Sequence, residues 1–351
     1  MLDRAFTVAT SILIGVPPPE TVRRSNREAR AMRAFLAAQG YLDDPAAYHR
    51  APPPVTEWLG SEEVGWVGPR RLPYQHVMWR SAFEPLPGEP GGERWMARGA
   101  NRTVHAQLLE HRGGPRPWLV CVHGFGMGTP LANFHGFSVR HLHEELGLNL
   151  ILPCLPLHGP RGTARLSGAE LLAPDYLNLL YTFAQATSDV RQAIAFARSR
   201  GAEAVGLYGI SLGGYISALV AGLEPDLACV VAAIPMVDLG SAARDNEPWL
   251  FRRYEEEFQV DFDVVRAITH VCSPLALEPK LPRERRFICA GAADRVVRPN
   301  HARALWRHWD RPAIHWFPGS HVLGMFHPEV RTFVDGALRR SRLVAKRPAA
   351  A

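Results

Sequence analysis

From Trp118 onward the chain alternates short apolar runs with helix-length segments, and few folds accommodate that rhythm. The apolar runs are Trp118 to Val122, Leu148 to Leu152, Ala204 to Tyr208, Cys229 to Ile234, Phe287 to Ala290 and Ala313 to Phe317. Between several of them lie Tyr176 to Arg200, Leu212 to Leu223 and Asn300 to Trp309. Strands that are apolar on both faces must be covered on both faces, so the pattern predicts an α/β fold with a mostly parallel sheet flanked by helices. Upstream, β-like runs at Gln75 to Phe83, Arg94 to Ala97 and Thr103 to Glu110 crowd together, as in an antiparallel opening to that sheet. With 47% hydrophobic side chains over 351 residues, such a core closes without disulfides. The same composition excludes a disordered chain, a coiled coil and a disulfide miniprotein.

The flanking segments read differently. Glu20 to Ala38 is an amphipathic helix, with Val22, Ala29, Met32, Phe35 and Leu36 near one face and five arginines largely on the others. We read it as packed on the main body, with contact between this N-terminal segment and a membrane surface as the alternative. Ala51 to Arg71 is rich in Pro and Gly and reads as a connector. The expected organisation is an N-terminal helical extension and connector over 1–70, a main domain over 71–340 and a basic flexible tail over 341–351. About 50 residues separate the strand near Val237 from the one near Phe287, far more than α/β units usually need. We read 238–285 as a helical, cap-like insertion, placed to roof a site above the carboxyl ends of the strands. The apolar stretch Phe6 to Val16 starts after Asp3 and Arg4, stops at Pro17 and is too short to span a bilayer. No small-x-small cleavage site follows it, so a cytoplasmic location is the default expectation.

The formal charge of +6 points away from nucleic acid once its source is seen. Of 40 basic residues only Lys280 and Lys346 are lysines, a coding-type skew, and no stripe of alternating basic and aromatic residues appears. The five cysteines, Cys121, Cys154, Cys229, Cys272 and Cys289, are widely spaced inside apolar runs and form no CxxC pair, so buried thiols are expected. No metal site is expected either: His141 and His143, near His135, are two apart and would point away from each other on a helix.

The strongest local signal is Gly209-Ile210-Ser211-Leu212-Gly213-Gly214, directly after the apolar run AVGLY and directly before YISALVAGL. This GxSxG sits at a strand-to-helix turn, the context that exposes a strained serine. A side chain at either flanking glycine would collide with the neighbouring elements. A serine hydroxyl is a weak nucleophile unless a base takes its proton, and the base needs an acid to orient it. Downstream, RRFICAG runs into Asp294 and AIHWF runs into Pro318-Gly319-Ser320-His321, so Asp294 and His321 stand on consecutive strand-end loops on the edge that carries Ser211. Asp238, ending the strand before, is the competing acid. His315, inside a strand, and His327, just before Pro328, are the competing bases.

Stabilising a tetrahedral oxyanion takes two backbone N–H groups. We assign them to Leu212, after the serine, and to Phe125, in the loop His123-Gly124-Phe125-Gly126-Met127-Gly128 that follows WLVCV. That loop lacks the Lys and Ser/Thr of a phosphate-binding loop, and His123 in it reads as structural. The segment Leu155 to Gly162 should lie on the same edge, which brings His158 and Arg161, with His123 and Asp238, into consideration for the pocket. Arg161 is expected to pair with a carboxylate of the protein, with a substrate carboxylate as the alternative.

HGFGMG, GISLGG, GAADRVV and GSHV, in this order and at these strand ends, resemble the α/β-hydrolase superfamily over about residues 75 to 340. The resemblance is to its esterase and dienelactone-hydrolase-like members. It implies a mostly parallel eight-stranded sheet, a triad of Ser211, Asp294 and His321, and no cofactor. The expected activity is cleavage of a small-molecule carboxylic ester through an acyl-enzyme. Thioesterase, peptidase or amidase, and acyltransferase chemistry use the same triad, and a non-catalytic binding protein of this fold is the reading from another class. The substrate and the oligomeric state are open at this level.

Overall fold

The computed structural model describes residues 3, 18–173, 175–239 and 260–345. Its strands are β1 (Leu59–Val67), β2 (Arg70–Arg80), β3 (Thr103–Leu109), β4 (Trp118–Val122), β5 (Asn149–Pro153), β6 (Val205–Ile210), β7 (Cys229–Ala233), β8 (Arg286–Gly291) and β9 (Ala313–Phe317). They form one sheet in the order β1-β2-β3-β5-β4-β6-β7-β8-β9. From β5 to β9 all pairs are parallel, whereas β1, β2 and β3 extend the sheet antiparallel beyond β5. Every residue of β4 to β8 is buried, which is why these segments read as unbroken apolar runs.

The helices are α1 (Pro19–Ala38), α2 (Pro45–Tyr48), α3 (Gly92–Met96), α4 (Pro130–Gly136), α5 (Tyr176–Ser199), α6 (Leu212–Ala221), α7 (Phe262–His270), α8 (Pro299–His308), α9 (His321–Gly324) and α10 (Pro328–Arg340). One face of the sheet packs its side chains with those of α1, α5, α6, α7 and α8. The other packs with α4 and α10. The apolar face of α1, with Val22, Ala29, Met32 and Leu36 buried, rests on α5 and α7. Polar ties add to it: Arg94 pairs with both Glu28 and Asp175, and the Ser25 hydroxyl accepts from the Tyr176 N–H at 2.9 Å.

Two expectations need correction. The sheet has nine strands among the described residues, not eight, because β1 occupies the stretch read as a connector. An edge strand buries little, and β1 keeps only Trp66's neighbour Gly65 fully covered, so it carries no apolar run to announce it. Arg94 to Ala97 is not a strand: Gly91, at φ 75°, turns the chain into α3, where the buried Trp95 indole N–H donates to Gln185 Oε1 at 2.8 Å. The insertion is described only in part. Asp261 caps α7 by accepting the N–H groups of Asp263 and Val264, while EPWLFRRYEEEF lies outside the described residues, as do Phe6 to Val16 and the last six residues of the tail. Among the described residues no helix is long and apolar enough to cross a membrane.

Candidate active site

β6 delivers Ser211 to the carboxyl edge of the sheet, at φ 55° and ψ −111°, a conformation that side chains rarely adopt. The turn is held by the Ser211 N–H donating to Ala233 O at 2.8 Å. Its tightness explains the two glycines: a Cβ on Gly209 would stand 2.1 Å from Gly213 O, and one on Gly213 would stand 1.8 Å from Val122 O. Two further strained residues, Leu157 at φ 64° and Ile234 at φ 42°, follow β5 and β7 on the same edge. Backbone strain of this kind gathers where function demands a geometry.

Ser211 Oγ lies 2.9 Å from His321 Nε2, and His321 Nδ1 lies 2.6 Å from Asp294 Oδ2. The carboxylate can only accept, so Nδ1 carries the imidazole proton and Nε2 is left as the acceptor that faces the serine hydroxyl. The other oxygen of Asp294 accepts the N–H groups of Val296 and Val297 at 3.0 and 2.8 Å, which fixes the carboxylate plane. Asp294 and His321 are 5% and 9% exposed, so the relay is dry except at the serine end.

The loop after β4 runs beside the serine: a Cβ on Gly124 would stand 3.4 Å from Ser211 Cβ. Phe125 is the next residue in that loop, and Leu212 opens α6, where N–H groups have no intrahelical partner. His123 and His158 are fully buried behind this loop, their rings 5.1 Å apart. His123 Nδ1 donates to Gly124 O and its Nε2 accepts from the Leu155 N–H at 3.0 Å, so it ties two strand-end loops together. Burial holds its pKa down to about 3 and that of His158 to about 4, which keeps both rings neutral.

Arg161 does not face the site. It is 1% exposed, pairs with Asp189 of α5 at 2.8 Å and donates to the carbonyls of Cys154 and Asn101. Asp238 is exposed, with its backbone N–H directed at His301 Nδ1. His315 pairs with Glu329, and His327 caps α10. His141 bridges Glu145 and Asp335, and no cluster of three or more metal-type ligands occurs among the described residues. All five cysteines are buried free thiols. A cleft of about 190 Å³ beside α2, lined by Tyr48, Glu89 and Arg191 among others, includes none of the relay residues. Its polar groups are engaged with one another or with neighbours, as in Tyr48 to Glu89 at 2.7 Å and Arg191 to Glu224 at 2.8 Å. Geometry rather than volume marks the site.

One residue near the relay gave no sequence signal. Asp3 is 2% exposed, and its carboxylate accepts backbone N–H groups from Arg295, His321 and Val322. No motif links it to loops some 300 positions away, so pattern reading passes over it.

Solved structures share this architecture. Acetyl xylan esterase 1 from Thermoanaerobacterium sp. superposes with a TM-score of 0.54, covering 87% of this chain and 93% of its own at 16% identity. The chain has the α/β-hydrolase fold. A second solved structure, the acylaminoacyl peptidase of Pyrococcus horikoshii, aligns with a TM-score of 0.53 over 84% of this chain and 43% of its own, at 12% identity. In sequence, the chain is 40% identical over 324 residues to an uncharacterized protein of Mycobacterium tuberculosis (strain CDC 1551 / Oshkosh), covering 92% of this chain and 76% of that protein. No family model matches the sequence.

Proposed function

We propose that the protein is a serine hydrolase that cleaves a carboxylic ester of a small molecule through an acyl-enzyme on Ser211. The observation that carries this reading is the continuous relay from Ser211 Oγ through His321 to Asp294, at 2.9 and 2.6 Å, on a strained strand-to-helix turn. His321 Nε2 takes the hydroxyl proton as Oγ attacks the carbonyl carbon. Negative charge then develops on the carbonyl oxygen, and the N–H groups of Phe125 and Leu212 are the donors assigned to it. Collapse of the tetrahedral intermediate expels the alcohol, which leaves with the proton from His321. Water, deprotonated by the same nitrogen, attacks the acyl carbon, and Ser211 departs with its proton restored. Asp294 keeps the imidazole in the required tautomer and stabilises the imidazolium formed in both halves of the reaction.

The acetyl xylan esterase likeness supports the ester reading at the level of fold. A relay of this kind also serves thioesters and amides, so a panel of acyl esters, acyl thioesters and peptides, measured with one enzyme preparation, separates them. The central claim is tested by a fluorophosphonate probe, which should label the wild-type chain and not Ser211→Ala. Labelling that survives that substitution overturns it.

A further inference from the structure

We infer that Asp3 is a positioning residue of the active site, a carboxylate from the N-terminal segment that locks together the loops carrying Asp294 and His321. This inference rests on the reading of Ser211, His321 and Asp294 as the catalytic relay. Asp3 Oδ2 accepts the Arg295 N–H at 2.9 Å and the His321 N–H at 3.1 Å, and Oδ1 accepts the Val322 N–H at 3.2 Å. The Ser320 hydroxyl supplies a fourth donor. One buried carboxylate thus holds the residue after the acid, the base itself, and the residue on either side of the base.

The local chain does not meet these needs by itself. α9 is four residues long, and its first N–H groups have no intrahelical partner. Ser320 stands at its N-cap, where a serine side chain usually accepts such a bond, but it makes no cap bond there and turns to Asp3 instead. Two backbone bonds tie the acid loop to the base loop, Ala292 N–H to Phe317 O and Ala293 N–H to Gly319 O, and both act ahead of the catalytic side chains. Asp3 acts at them. Burial opposes its charge, but the donors around it outweigh burial and hold its carboxyl below the usual range, so it is an anion at working pH. Charged acceptors make the stronger hydrogen bonds, which suits a group that must hold His321 within a few tenths of an ångström of Ser211 and Asp294.

Asp3 then belongs to the catalytic apparatus rather than standing apart from it. The test is hydrolysis of p-nitrophenyl acetate by wild type, Asp3→Asn and Asp3→Glu, with active sites counted by fluorophosphonate titration so that unfolded protein does not enter the rate. For Asp3→Asn, which places an amide N–H among N–H donors, kcat per titrated site should fall by about 10- to 100-fold with KM changed by less than about threefold. Asp3→Glu keeps the acceptor charge and should recover part of that loss. Wild-type kcat per site in Asp3→Asn overturns the inference. Should that variant not accumulate, Asp3→Glu decides alone: a lowered kcat at unchanged KM supports the positioning role, and an unaltered kcat overturns it. If wild type itself takes no label and shows no turnover, the relay reading has failed, a different result from a labelled wild type matched by an equally fast Asp3→Asn.

Discussion

Arg161 Nη2 and Asp189 Oδ2 lie 2.8 Å apart with 0% and 1% of their side chains exposed, an ion pair sealed between the loop after β5 and the helix α5. It braces the loop that carries His158 from below, and it removes Arg161 from any contact with substrate. Removing one partner leaves the other charged and buried, so Arg161→Ala should cost about 3–5 kcal/mol in urea unfolding. Neutral and anionic esters should lose rate equally, and a selective loss for anionic esters would contradict the structure.

The strain at Ser211 makes a prediction of opposite sign. Glycine adopts a positive φ without penalty, so Ser211→Gly should raise stability by about 1 kcal/mol while abolishing fluorophosphonate labelling. Thermal unfolding of the two proteins side by side checks it. A lowered Tm would mean that the serine's hydrogen bond to His321 outweighs its backbone strain.

The two candidate acids are separated by rate. Asp294→Asn would present an N–H where His321 Nδ1 needs an acceptor, and kcat should fall by about 10⁴-fold. Asp238→Asn should leave kcat within about twofold, since it is Asp294 that faces His321 Nδ1 while Asp238 is exposed. Steady-state hydrolysis of one chromogenic ester by both variants is enough.

Acid should unfold the protein through its buried histidines. Burial holds His123 down to about 3 and His49 and His158 to about 4 in the folded chain, against an ordinary value near 6.5. Below about pH 6.5 the unfolded chain takes up protons that the native state refuses, so stability is full above that pH and falls progressively toward pH 4. Urea midpoints measured from pH 7 to pH 4 should decline over that window, and a flat profile would be inconsistent with neutral buried rings.

By itself the sequence determined the features that local physics governs. Apolar runs of strand length marked β4 to β8 because strands covered on both faces admit little else, and Gly209 and Gly213 marked the turn because a single Cβ at either would strike backbone. The order of Ser211, Asp294 and His321 followed from which strand each residue ends. Tertiary structure decided everything that depends on residues far apart in the chain. β1 is a strand because β2 offers it hydrogen bonds, not because its composition demands one, and α3 is a helix because Trp95 finds Gln185 across the core. Arg161 found its carboxylate on α5, and Asp3 found its four donors in two loops that exist only once the sheet has brought β8 and β9 together. A pattern within ten residues can report turn geometry and periodicity, but a buried charge is satisfied by whatever the fold carries to it, and that partner leaves no trace in the neighbouring sequence.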